Sequence, residues 1–132
     1  MEPLAGRAAL VTGARSLVVG APHDAKTDIG PMISEEAARR VESWIQEAVA
    51  QGAKLKCGGE RRGATVTPAV LTDVKPHMTV VCKEVFGPVV SVMAYDDIDH
   101  AFDLANSTPY GLQAGLYTNS MDVILKARSM SR

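Results

Sequence analysis

Apolar residues recur at helical spacing through Ala37, Val41, Ile45, Ala48 and Val49, with Arg39, Arg40, Glu42, Gln46 and Glu47 between them. Steps of three and four place the apolar set on one helix face and the polar set on the other. Ser34 supplies an N-cap hydroxyl, Glu35 and Glu36 put negative charge in the first turn, and Gly52 closes the element after Gln51. Trp44 stands at the border of the apolar stripe, where packing is its expected role.

Shorter apolar runs flank this helix. Residues 8–12 (AALVT) read as a strand followed by Gly13, and a polar, turn-rich loop runs through Ile29. Residues 54–57 read as a short strand, 58–63 as a tight connection, and 65–71 as a second strand interrupted by Pro68. A proline cannot donate to a ladder, so that strand is expected at a sheet edge or bend. A brief apolar run, 79–82, leads to the β-branched run 89–95 (VVSVMAY), the clearest strand. Asp96 and Asp97 cap a helix burying Ile98, Ala101, Phe102 and Ala105, which Pro109 and Gly111 end. Residues 112–118 read as a last strand, and Ser120 caps a final helix carrying Met121, Ile124 and Leu125 inward. Alternating strands and helices predict an α/β layered sheet.

Composition adds limits. The 132 residues suffice for one domain with a core. Apolar residues make up 46% and charged residues 22%, as in soluble globular proteins. Fourteen basic against fifteen acidic residues give no electrostatic footprint for nucleic acid or an anionic membrane. No apolar stretch approaches a membrane span, and residues 1–7 lack the order of a signal peptide, so a cytoplasmic protein is expected. Cys57 and Cys82 have no C-x-x-C partner, and His23, His77 and His100 are scattered, so no metal site is expected.

Candidate chemistry gathers at Glu84-Val85-Phe86-Gly87-Pro88-Val89. Gly87 frees the backbone and Pro88 fixes φ, making a sharp entry to a strand. A carboxylate at Glu84 offers acceptors for the paired hydroxyls of a ribose, and Phe86 offers an aromatic face for a sugar or nicotinamide. Taken alone, the segment reads better as an acidic loop with Phe86 as a core plug. Two further segments alter that: Asp28-Ile29-Gly30-Pro31-Met32-Ile33 before a helix, and Asn106-Ser107-Thr108-Pro109-Tyr110-Gly111-Leu112 between a helix and a strand. In this order and spacing the three motifs resemble the aldehyde dehydrogenase superfamily, in the later part of its catalytic domain. The likeness runs from about Ser16 to Arg128. Residues 16–132 are therefore expected to form a partial catalytic domain with a layered α/β/α sheet, and 1–15 an atypical segment outside the likeness.

The resemblance implies oxidation of an aldehyde to a carboxylic acid with NAD or NADP, through addition of a cysteine thiolate to the carbonyl. Glu84 matches the family's ribose-holding carboxylate, Phe86 the aromatic beside that ribose, and Gly87 with Pro88 the turn that positions both. Arg40 lies near the cofactor's ribose region by analogy, while its own pattern reads as a solvated helix face. Neither Cys57 nor Cys82 stands in the glycine-glutamine context of the family's nucleophile, so no catalytic residue is assigned. The expectation is a fragment truncated at both ends and inactive alone, its parent usually a homo-oligomer acting on a small aldehyde. The alternative is a non-catalytic interaction module docking on an intact dehydrogenase subunit. A single ribose contact contributes about 1.5–3 kcal/mol, whereas micromolar affinity needs about 8 kcal/mol; weak cofactor binding by this chain is expected. Residues 8–13 also resemble the first strand and turn of short-chain dehydrogenases, but the second and third glycines are missing, and no Tyr-x-x-x-Lys pair follows at Tyr95, Tyr110 or Tyr117.

Overall fold

The computed structural model describes residues 4–111 and 113–130. The chain divides into two units, Met1–Met93 and Ala94–Arg132. In the first unit, α1 (Leu4–Ser16) precedes α2 (Glu35–Ala50), and β1 (Lys54–Cys57) follows. Next come β2 (Arg61–Arg62), β3 (Thr65–Val66), β4 (Ala69–Thr72), the one-turn helix α3 (Thr79–Cys82) and β5 (Val89–Val92). The second unit carries α4 (Ile98–Ala105) and α5 (Met121–Met130).

The expected central helix forms where its stripe requires. Ser34 Oγ accepts the Ala37 N–H at 3.1 Å, and Ala38, Val41, Ile45 and Ala48 are buried. Val49, expected inward, is instead exposed, at the margin of the stripe. Among the described residues, the principal sheet has the order β1-β4-β5, with β1 antiparallel and β5 parallel to β4. All four residues of β4 are buried. Ala69 and Leu71 join the core cluster with α2, Val74, Met78 and Val80, while Val70 is buried outside that cluster. Side chains alternate between faces along a strand, and α1 packs against β1 and β4. The arrangement is a layered α/β fold, as expected.

Two readings of the first unit change, and one unassigned run gains an element. Residues 8–12 lie inside α1, not in a strand: a short apolar run does not distinguish the two, and the alanines and leucines around it favour helix. The strand after Pro68 is central, not at an edge. Pro68 lies just ahead of β4, where no ladder N–H is required, and its carbonyl accepts the Cys57 thiol at 3.9 Å. Residues 79–82 wind into α3.

In the second unit, Asp97 caps α4 by accepting the His100 N–H at 2.9 Å. Asp96 instead turns its backbone N–H to His100 Nδ1 at 3.4 Å. α4 buries no residue fully. Lys126 on α5 donates to Asp99 Oδ2 on α4 at 2.6 Å. Met121, Ile124 and Leu125, expected inward, are exposed. Of the run 112–118, Leu112 lies outside the described residues and 113–118 take neither helix nor strand. The strand at 89–95 closes early, at Val92.

Candidate functional site

The turn that enters β5 is built from both sides by α2 and α3. Lys83 ends α3 in an extended conformation (φ −123°, ψ 153°), its N–H donating to the Thr79 carbonyl at 3.1 Å. Glu84 therefore leaves the helix and is exposed. Val85 turns back to pack on the core, and its carbonyl accepts a bond from Arg40 Nη2 at 2.8 Å. A charge-assisted bond of this kind contributes about 1.5–3 kcal/mol. Phe86 then adopts φ 45°. That left-handed backbone costs a bulky residue about 1–3 kcal/mol, and persists only where the surroundings impose it. Phe86 is 71% exposed, so core burial does not account for the strain.

Gly87 passes directly over α2. A Cβ at this position would sit 2.9 Å from Val41 Cγ2 and 3.3 Å from Val41 Cγ1, so the approach requires glycine. The Val89 N–H donates to the Gly87 carbonyl at 2.8 Å, closing a three-residue turn around Pro88. The Ala69 N–H donates to the Pro88 carbonyl at 2.8 Å and sets the parallel register Ala69↔Val89. Two side chains anticipated to act together thus project from one fixed turn: an exposed carboxylate and, two positions on, an exposed aromatic ring. Among the described residues Glu84 makes no ion pair or hydrogen bond.

Arg40 departs from the solvated helix face that its pattern indicates. It is half-buried, and its guanidinium carbon lies 4.6 Å from the centroid of the Trp44 ring. Lys83 Nζ lies 5.9 Å from the same centroid. Trp44 therefore does more than pack. The signal was present in the spacing, since residues four apart on a helix are neighbours, but the bond to Val85 spans 45 positions and has no local trace.

The remaining candidates are quiet. Cys57 and Cys82 are free thiols; Cys82 donates to the His77 carbonyl at 3.8 Å. Among the described residues no group of three or more His, Cys, Asp or Glu is arranged to hold a metal. Among the described residues no helix is long and apolar enough to cross a membrane. Arg61 is engaged with Glu42 at 2.7 Å, both about a quarter exposed, tying β2 to α2. A cavity of about 410 Å³ lies over the hairpin, lined by Val19, Gly20, Glu60, Arg62, Thr65 and Thr67. Neither Glu84 nor Phe86 lines it.

The first unit is thus a layered α/β scaffold whose backbone-clamped turn presents an acid and an aromatic ring. Residues 5–132 match the aldehyde dehydrogenase family, and the chain belongs to it. It is 51% identical to a 3-sulfolactaldehyde dehydrogenase of Priestia aryabhattai over 111 residues, which cover 84% of this chain and 23% of that protein. Aldehyde dehydrogenase 21 from Physcomitrella patens, solved with the reaction product succinate, superposes with a TM-score of 0.90 at 39% identity, covering 95% of this chain and 26% of that one. The Mycobacterium tuberculosis aldehyde dehydrogenase complexed with NAD+ superposes with a TM-score of 0.86 at 36% identity, covering 96% and 27%. The chain thus spans about a quarter of the length of these relatives.

Proposed function

We propose that this chain supplies the ribose-holding turn of an NAD(P)-dependent aldehyde dehydrogenase, with Glu84 accepting hydrogen bonds from the ribose hydroxyls and Phe86 flanking the sugar. The observation that carries this reading is the turn itself: a strained, exposed aromatic and an exposed carboxylate on a backbone fixed by Arg40, Val41 and Ala69. The residues fit such a cofactor in kind. An ionised carboxylate has acceptor sites enough for two hydroxyls, and a ring standing clear of the core is free to pack on a sugar. When bound, NAD or NADP would accept the hydride lost by an aldehyde. Glu84 and Phe86 would orient that half of the cofactor, and no catalytic role falls to Cys57 or Cys82. The parent enzyme in this reading is cytoplasmic and homo-oligomeric, with a small aldehyde as substrate. Residues 16–132 make up its catalytic-domain portion and 1–15 a separate lead, although the family match begins earlier, at residue 5.

The test is amide chemical-shift mapping of the 132-residue chain with NAD+. A single ribose contact of about 1.5–3 kcal/mol corresponds to a Kd of roughly 5–100 mM, so titration to about 20 mM is needed. Shifts should centre on residues 84–89 and collapse in Glu84→Gln. Shifts elsewhere, or an unchanged response in Glu84→Gln, overturn the assignment.

A further inference from the structure

We propose that Arg40, seated on Trp44, is the positioning residue for the Glu84 and Phe86 turn; the inference rests on the cofactor-holding reading of those two residues. Consecutive residues of α2 grip the backbone on both sides of Phe86. Arg40 bonds the Val85 carbonyl at 2.8 Å, which fixes the peptide plane preceding Phe86. Val41 lies against Gly87, so that a Cβ there would meet it at 2.9 Å, which fixes the chain following Phe86. Between the two contacts Phe86 is held at φ 45°.

Glu84 is bracketed in the same way. Lys83 before it lies over Trp44 at 5.9 Å, and Val85 after it is held by the Arg40 that lies over that same ring at 4.6 Å. One indole therefore organises both flanks of the carboxylate. Arginine suits the position because a planar guanidinium can donate in its plane while its face rests on an aromatic, whereas an ammonium is a point charge. Arg40 itself need not touch the cofactor. Its effect on the bound ribose passes through the Val85 peptide.

The experiment uses the full chain and variants Arg40→Ala and Arg40→Lys. Three quantities are read: backbone 15N order parameters, emission of Trp44, which is the single tryptophan, and NAD+-induced shifts. In the parent chain, order parameters at Glu84, Phe86 and Gly87 should lie near 0.85, and in Arg40→Ala fall below about 0.6, while α2 and β4 stay rigid. Trp44 emission should change in Arg40→Ala and return toward the parent in Arg40→Lys. Lysine should also restore part of the order at residues 84–87. The NAD+ response at the turn should weaken at least about fivefold in Arg40→Ala, the equivalent of roughly 1 kcal/mol.

Unchanged order at residues 84–87 in Arg40→Ala overturns the proposal, and so does an equal loosening of α2 and β4, which would mark a merely structural residue. A lost NAD+ response with an undisturbed turn also overturns it, by making Arg40 a direct contact. If NAD+ shifts nothing in the parent chain while Arg40→Ala loosens only the turn, the positioning role stands and the cofactor reading fails.

Discussion

Substituting Gly58 by alanine separates two physical costs when set beside the same change at Gly52. Gly58 follows β1 at the irregularity between Leu55 and Cys57, with φ +65°. A Cβ there would lie 1.8 Å from the Pro68 carbonyl oxygen, 2.5 Å from its carbon and 3.1 Å from the Ala69 nitrogen, all of them backbone atoms. Gly52 has φ +103° and nothing within 4 Å of the added atom. Both variants lose the left-handed freedom of glycine, a cost of about 1–2 kcal/mol. Gly58→Ala must also separate β1 from β4 beside the pair Cys57↔Val70, and overpacking of this kind costs about 1–3 kcal/mol more. The totals are about 1–2 kcal/mol for Gly52→Ala and about 2–5 kcal/mol for Gly58→Ala, the latter a large part of a domain's usual 5–15 kcal/mol. Urea unfolding followed by Trp44 emission, at low protein concentration, checks this. With a slope near 1.5 kcal/mol/M, the midpoint should fall by about 1 M for Gly52→Ala and about 1.5–3 M for Gly58→Ala. Equal losses, or a milder effect at Gly58, would refute the reasoning.

Two more outcomes follow from the same framework. Ser34→Ala removes the hydroxyl that accepts the Ala37 N–H and should cost about 1 kcal/mol, with Ser34→Asp restoring it; identical melting of Ser34→Ala and the parent chain would contradict the cap. β5 has a partner on one side only among the described residues, and Val90 on it is 44% exposed, so the chain should self-associate with rising concentration and Val90→Lys should suppress this. Sedimentation showing the parent chain monomeric at every concentration would count against that edge as the cause.

How much was legible follows the range of the interactions. The α2 helix could be read from Ser34 to Gly52 because its cap, its stripe and its end all lie within a few positions of one another. The Ala69–Thr72 strand was found but misplaced: Pro68 suggested an edge, and only the sheet order puts β4 in the middle. Residues 8–12 failed because apolar character decides burial and leaves the period undecided. Met121, Ile124 and Leu125 failed for a related reason, since an apolar stripe shows a face that seeks cover, and what covers it is not written locally.

The motif at residues 84–89 named the two side chains of interest without their setting. That Phe86 would sit at φ 45°, that Gly87 would pass against Val41, and that Arg40 would reach Val85 across 45 positions are facts of the fold. Local chemistry determined which groups this chain offers: a carboxylate, a ring and a glycine-proline bend ahead of a β-branched strand. The tertiary structure alone decided how they are presented. A conformation as costly as a left-handed phenylalanine exists only when contacts from a distant helix hold it there.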